Sequence, residues 1–106
     1  MAFWVVNLPT LTMSSSASNA IPLEDTYAIS IQSPVTLTAS QATVQVSMTS
    51  AGTTDFTNLL SAGANVVIPA NSAIVISPAS FKQMMLISTT NEAATRTFLV
   101  TKAIVT

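Results

Sequence analysis

The chain contains no histidine and no cysteine, and only 7% of its residues are charged, against roughly 25% in an average soluble domain. Imidazole is the side chain that titrates nearest neutrality, so ordinary general acid–base catalysis loses its usual agent. Without thiols there is no disulfide framework and no thiolate nucleophile. The three basic residues, Lys82, Arg96 and Lys102, are too few to displace counterions from a nucleic acid or to hold an anionic membrane surface. No apolar run approaches the ~18 residues that span a bilayer. The N-terminal MAFWVVNLPTLTM begins apolar but lacks a basic flank, so no signal peptide is expected.

Four carboxylates remain: Glu24, Asp25, Asp55 and Glu92. Two carboxylates would suffice for glycoside hydrolysis, but sugar clefts need aromatic platforms, and only Trp4 and Tyr27 offer that potential. Glu24-Asp25 matches no calcium-loop spacing and reads as a solvated turn. Neither a phosphate-cradling glycine motif nor a G-x-S-x-G elbow occurs. The many Ser and Thr hydroxyls lack a base, and Lys82 and Lys102, at strand ends, read as ordinary exposed ammonium groups. No catalytic residue, cofactor or metal site is expected, and the chain is not expected to be an enzyme.

What the chain does have is 106 residues of which 49% are hydrophobic, enough for one folded core. Its polarity is carried by Ser, Thr, Asn and Gln. Neutral polar groups are desolvated more cheaply than charges when they find partners, and a charge-poor surface gives copies little mutual repulsion. That composition fits a subunit packed against other subunits.

Residues 1–22 differ from the rest. Phe3, Trp4, Val5, Val6, Leu8 and Leu11 are interrupted by Pro9 and followed by the polar run Ser14 to Asn19, which together read as an arm, or first strand, with a flexible joint behind it. These six apolar residues are the candidate partner interface, with Phe3 and Trp4 foremost because large aromatics dominate interface energetics. On this reading, deleting residues 1–12 leaves a folded core that no longer joins its partners.

Residues 23–106 alternate as strands do. Tyr27, Ile29 and Ile31, then Val35, Leu37 and Ala39, then Val44, Val46 and Met48 sit two apart, a period that puts each set on one strand face. Strands are also expected at 66–68, 73–76, 81–87, 95–101 and 103–105, with turns at Ser50–Thr53 and at Pro69-Ala70-Asn71. The best helix candidate, 57–64, is short and reads equally as a loop. β-Branched residues favour pleated strands. The expected fold is all-β: a single β-sandwich or jelly-roll-like domain of about seven or eight short antiparallel strands with an N-terminal arm. Met84-Met85 would point one side chain into the core and the other to the outer face or a neighbour.

The stretches VQVSMTSAGTTDFTNLLSAGANVVIPANSAIVI, FKQMMLIST and AATRTFLVTKA, over residues 44–103, resemble small structural proteins of tailed bacteriophages. The shared pattern is a strand, a Gly-containing turn, an apolar Phe segment, an Ile-Pro-Ala turn and a strand opened by Phe. The resemblance implies a β-sandwich found as a capsid decoration (cement) protein, often trimeric, or as a neck, tail or fibre part. It implies a virion location, and as partners other copies of the chain and other capsid or virion proteins. A carbohydrate- or surface-binding module is the alternative, with its site at Thr53-Thr54-Asp55 and Thr90-Asn91-Glu92.

Overall fold

The computed structural model describes residues 3–23, 28–49, 55–76 and 81–105. Tyr27, Glu24-Asp25, Thr53-Thr54 and the Ser50–Thr53 turn lie outside those residues, as do the side chains of Phe3 and Trp4. The chain runs through β1 (Phe3–Asn7), β2 (Leu11–Met13), β3 (Ile21–Pro22), β4 (Ala28–Gln32), β5 (Gln41–Ser47) and β6 (Thr57–Asn58). It continues through β7 (Leu60–Ser61), β8 (Ala64–Asn65), β9 (Val67–Pro69), β10 (Ala73–Ile76), β11 (Gln83–Ile87) and β12 (Arg96–Val105). All named pairings are antiparallel, and no helix occurs among the described residues. The protein is all-β, as its β-branched composition predicts.

Two sheets enclose one core. The first has the order β1-β12-β4-β10, with β2 also on β12; the second has the order β3-β11-β5-β6, with β9 also on β5. Period-two burial follows from the pleat. Ile29 and Ile31 of β4, Phe98 and Val100 of β12, Val44 and Val46 of β5, and Met84 and Leu86 of β11 all point inward. Burying such side chains contributes roughly 1.5–3 kcal/mol each. The candidate helix at 57–64 resolves instead into β6, β7 and the start of β8. Ala62 (φ 52°) and Gly63 (φ 81°) form the two-residue loop between β7 and β8, and two successive positive φ values are what a type I′ hairpin demands.

The arm is part of the sandwich. In β1, Asn7 lies opposite Thr101, whereas in β2, Leu11 lies opposite Phe98. Four residues therefore advance against three, a one-residue bulge that spans Leu8–Thr10 and lets Leu8 and Leu11 both turn inward. Leu8 N–H donates to the Val100 carbonyl at 2.9 Å, and Pro9, lacking an N–H, sits where none is needed.

The polar run behind it is pinned. Ser18 donates its N–H to Leu86 O and accepts from Leu86 N–H on its hydroxyl, both at 2.9 Å. Asn19 bridges back, accepting from Thr12 N–H at 2.8 Å and donating to Thr10 O at 3.1 Å. Residues 3–22 thus supply β1 and β2 to one sheet and β3 to the other, and the expected flexible joint is a hydrogen-bonded corner.

Two further expectations change. The segment Val35–Ala39 alternates like a strand but crosses from β4 in one sheet to β5 in the other, so it has no strand partner. Val35 is 75% exposed while Leu37 plugs the core. Met48, placed by periodicity beside Val44 and Val46, lies past the end of β5 and is exposed. The methionine pair divides as expected: Met84 lies within the core cluster and Met85 outside it, buried on the opposite face of β11.

Candidate functional site

Antiparallel partners put their side chains on the same face, so the registers define the outer face of the first sheet row by row. One row runs Asn7, Thr101, Ser30, Val75; a second runs Val5, Ala103, Ala28; a third runs Leu99, Gln32, Ala73. None of these ten residues is charged. Val5 is 74% exposed, Val75 69% and Leu99 54%. Between them lies a shallow depression of about 600 Å³ that Asn7, Ser30, Gln32, Ala73, Leu99 and Thr101 help to line. With strands ~4.8 Å apart and ~3.4 Å per residue, the face has a footprint of about 300 Å². Apolar patches of that size on a monomer are commonly functional.

Of the sequence-predicted interface residues, Val5 is on this face and Val6, also exposed, points to its opposite side. Leu8 packs against the core and Leu11 is fully buried in it. Leu11 therefore cannot contact a partner, because the bulge before β2 turns it inward. Phe3 and Trp4 pair through their backbones with Val105 and Ile104 of the same chain. A cut through residue 12 removes Leu11 from the core and strips β12 along most of its length, so the truncation cannot isolate a partner-binding role. Val75 and Leu99 were missed by sequence reading. The signal was present: Ala73–Ile76 and Phe98–Val100 are continuous apolar runs, which in a strand make both faces apolar.

The other polar cluster is internal. Glu92, on the loop before β12, is buried. It accepts from Thr38 N–H at 2.8 Å, Ala39 N–H at 3.4 Å and Arg96 Nε–H at 3.0 Å. Burial by itself would push the carboxyl upward; the Thr38 amide, the Arg96 guanidinium and the Ala39 amide outweigh it and hold the group below the usual range. Ala93 N–H in turn donates to Thr38 Oγ1 at 2.9 Å. This arrangement staples the β4–β5 crossover to the β11–β12 crossover. Glu92 is therefore spent on structure, which removes it from the loop site considered for glycans; Asp55, on another loop, is exposed. Among the described residues there is no cluster of three His, Cys, Asp or Glu side chains.

No protein-family description matches the chain, and no curated protein matches it in sequence. Solved structures do. A protein derived from the SPBc2 prophage, YomS, superposes with a TM-score of 0.66 at 8% identity, over 96% of this chain and 93% of its own. A structure of Bacillus endospore appendages, described as a family of disulfide-linked pili, superposes at 0.54 and 16% identity, over 96% and 87%. At these identities the likeness is one of fold.

Proposed function

We propose that this chain is a structural subunit of a phage particle, acting by adhesion to its neighbours and not by catalysis. The observation that carries the reading is the uncharged outer face of the first sheet, with Val5, Val75 and Leu99 held in water beside small neutral residues. Covering it with a matching surface releases apolar area at ~25 cal/mol per Å² without stranding a charge, less the ordering cost of association. The fold shared with a prophage-derived protein over nearly the whole chain supports a phage setting. The fold shared with a pilus protein supports a role in repetitive assembly. Lacking cysteine, this chain would assemble without the disulfide links named for that pilus.

Within the particle, a capsid decoration protein that ties neighbouring shell subunits together is the reading we favour over a neck or tail part. Sedimentation of the purified chain over a wide concentration range tests the general reading. Self-associated species that dissociate in a Val5→Lys/Val75→Lys/Leu99→Lys variant are expected. A lone monomer at every concentration, indifferent to purified particles, refutes it. Gold-labelled antibody on those particles tests the finer reading: label over the shell is expected, and label confined to the tail overturns it.

A further inference from the structure

We propose that copies of this chain join edge to edge, β1 of one copy hydrogen-bonding to β10 of the next, so that the first sheet continues from subunit to subunit. The inference rests on the assembly reading above and adds a second contact, at the edges of the sheet whose outer face that reading covers. Among the described residues, β1 and β10 are the two ends of the first sheet, each hydrogen-bonded as a strand on one side only. Exposed edges normally carry a guard, such as a charge, a proline, a bulge or mere shortness. The second sheet shows such guards. Its β3 is two residues long and contains Pro22, β6 is also two residues, and β9 ends in Pro69. In the first sheet the bulge and Pro9 lie beyond the end of β1, and the edge strands themselves are unguarded by charge or proline: β1 reads FWVVN and β10 reads AIVI, five and four residues.

Direction permits the pairing. Each step across β1-β12-β4-β10 is antiparallel, so with four strands the two edges run opposite ways. Copies set side by side in the same orientation bring β10 against an antiparallel β1, and the alternation is preserved. Such a head-to-tail contact is heterologous, and its repetition generates a ring or a filament.

The receiving edge is also shaped for a strand. A groove of about 510 Å³ runs along β10, lined by Leu59, Leu60 and Val66 on one side and by Ile74, Val75 and Ile76 on the other. A five-residue strand is about 17 Å long. Covered along one edge and on its inward face, it removes on the order of 500 Å² from each partner, which just reaches the ~1,000 Å² of a specific interface. Main-chain hydrogen bonds would supply the affinity and alternate side chains the register, as in other strand additions.

The absence of native cysteine makes the test clean. Val5 and Val75 are exposed on the same outer face, and Ala73 precedes Val75 on that face. Val5→Cys, Ala73→Cys and Val75→Cys proteins are prepared singly, checked for the wild-type circular dichroism spectrum, and oxidised alone and in pairs at a concentration where the wild-type chain sediments as an assembly. Mixing Val5→Cys with one of the two β10 variants should give about tenfold more disulfide dimer than either alone, the ratio that 1.4 kcal/mol of geometric preference confers. A double variant carrying both thiols on one chain should give a ladder of multimers.

Homodimers from Val5→Cys alone or from the β10 variants alone in a yield equal to that of the mixtures overturn the proposal in favour of a two-fold contact. Assemblies that yield no cross-link in either mixture overturn edge pairing and leave the assembly reading standing. A chain that never assembles overturns both.

Discussion

Removing the carboxylate of Glu92 should cost more stability than any other single change to a charged group among the described residues. In Glu92→Ala, the Thr38 and Ala39 amides and the Arg96 guanidinium lose their common acceptor. Hydrogen bonds to a charged group contribute ~1.5–3 kcal/mol each. The Ala39 contact is long at 3.4 Å, and Thr38 sits on an exposed loop that water can reach. A net loss of about 2–4 kcal/mol is therefore expected, out of the 5–15 kcal/mol typical of a domain. For a chain of this size that corresponds to a Tm lower by roughly 10–25 °C. Glu92→Gln keeps one acceptor oxygen and loses the charge, so it should fall between Glu92→Ala and wild type.

The pH dependence discriminates further. The Glu92 carboxyl titrates below its ordinary value when folded, so between the folded and unfolded pKa the unfolded chain binds the extra proton. Stability then rises with pH through that window. The advantage of wild type over Glu92→Gln is complete above the unfolded value of ~4.3 and is lost as acid carries the pH down through the folded one. Urea titrations of the three proteins at pH 7 and at a series of acid values measure both effects. A Glu92→Ala protein within about 0.5 kcal/mol of wild type, or a wild-type to Glu92→Gln gap that acid leaves unchanged, refutes the reasoning.

Other substitutions separate core from surface. Phe98→Ala should cost about 3–5 kcal/mol in urea titrations, because Phe98 is a large, fully buried side chain of the core. Leu11→Ala should cost about 2–5 kcal/mol, whereas Val5→Ala, on the same N-terminal segment but exposed, should stay within about 0.5 kcal/mol; equal losses would contradict the bulge that turns Leu11 inward. Ala62→Asn should raise the Tm, adding up to about 1 kcal/mol, since Ala62 holds φ 52° in a turn that favours Asn-Gly.

The strands β4 and β5 were readable because each alternates around core residues whose period the pleat enforces, and β10, β11 and β12 because each is a short apolar or β-branched run. What could not be read was partnership. Val35–Ala39 carries the same alternation as β4, and only the fact that it bridges two sheets keeps it from pairing. The N-terminal segment looked like an arm because its greasy residues come in a block, FWVV. That block hid a parity switch at Pro9 that sends Leu11 inward while Val5 stays outside. Glu92 looked like a loop acid beside Thr90 and Asn91; its burial depends on backbone amides 53 and 54 residues away, a separation local patterns do not report.

The scarcity of charge acquires a physical meaning once the residues are placed. A core alone does not require it, since an average domain builds an equal core and still covers itself with ions. Here two of the seven charged residues, Glu92 and Arg96, neutralise each other in a staple between crossovers. The outer face of the first sheet and both of its edge strands carry none. In the assembly proposed above, neutral polar side chains on such a surface would keep an unassembled copy hydrated at modest desolvation cost and leave its backbone edges open to a strand that brings matching donors and acceptors. A lysine at Val75 would be the least change able to close that edge, because a charge on an exposed edge strand is one of the guards by which natural sheets refuse a further strand.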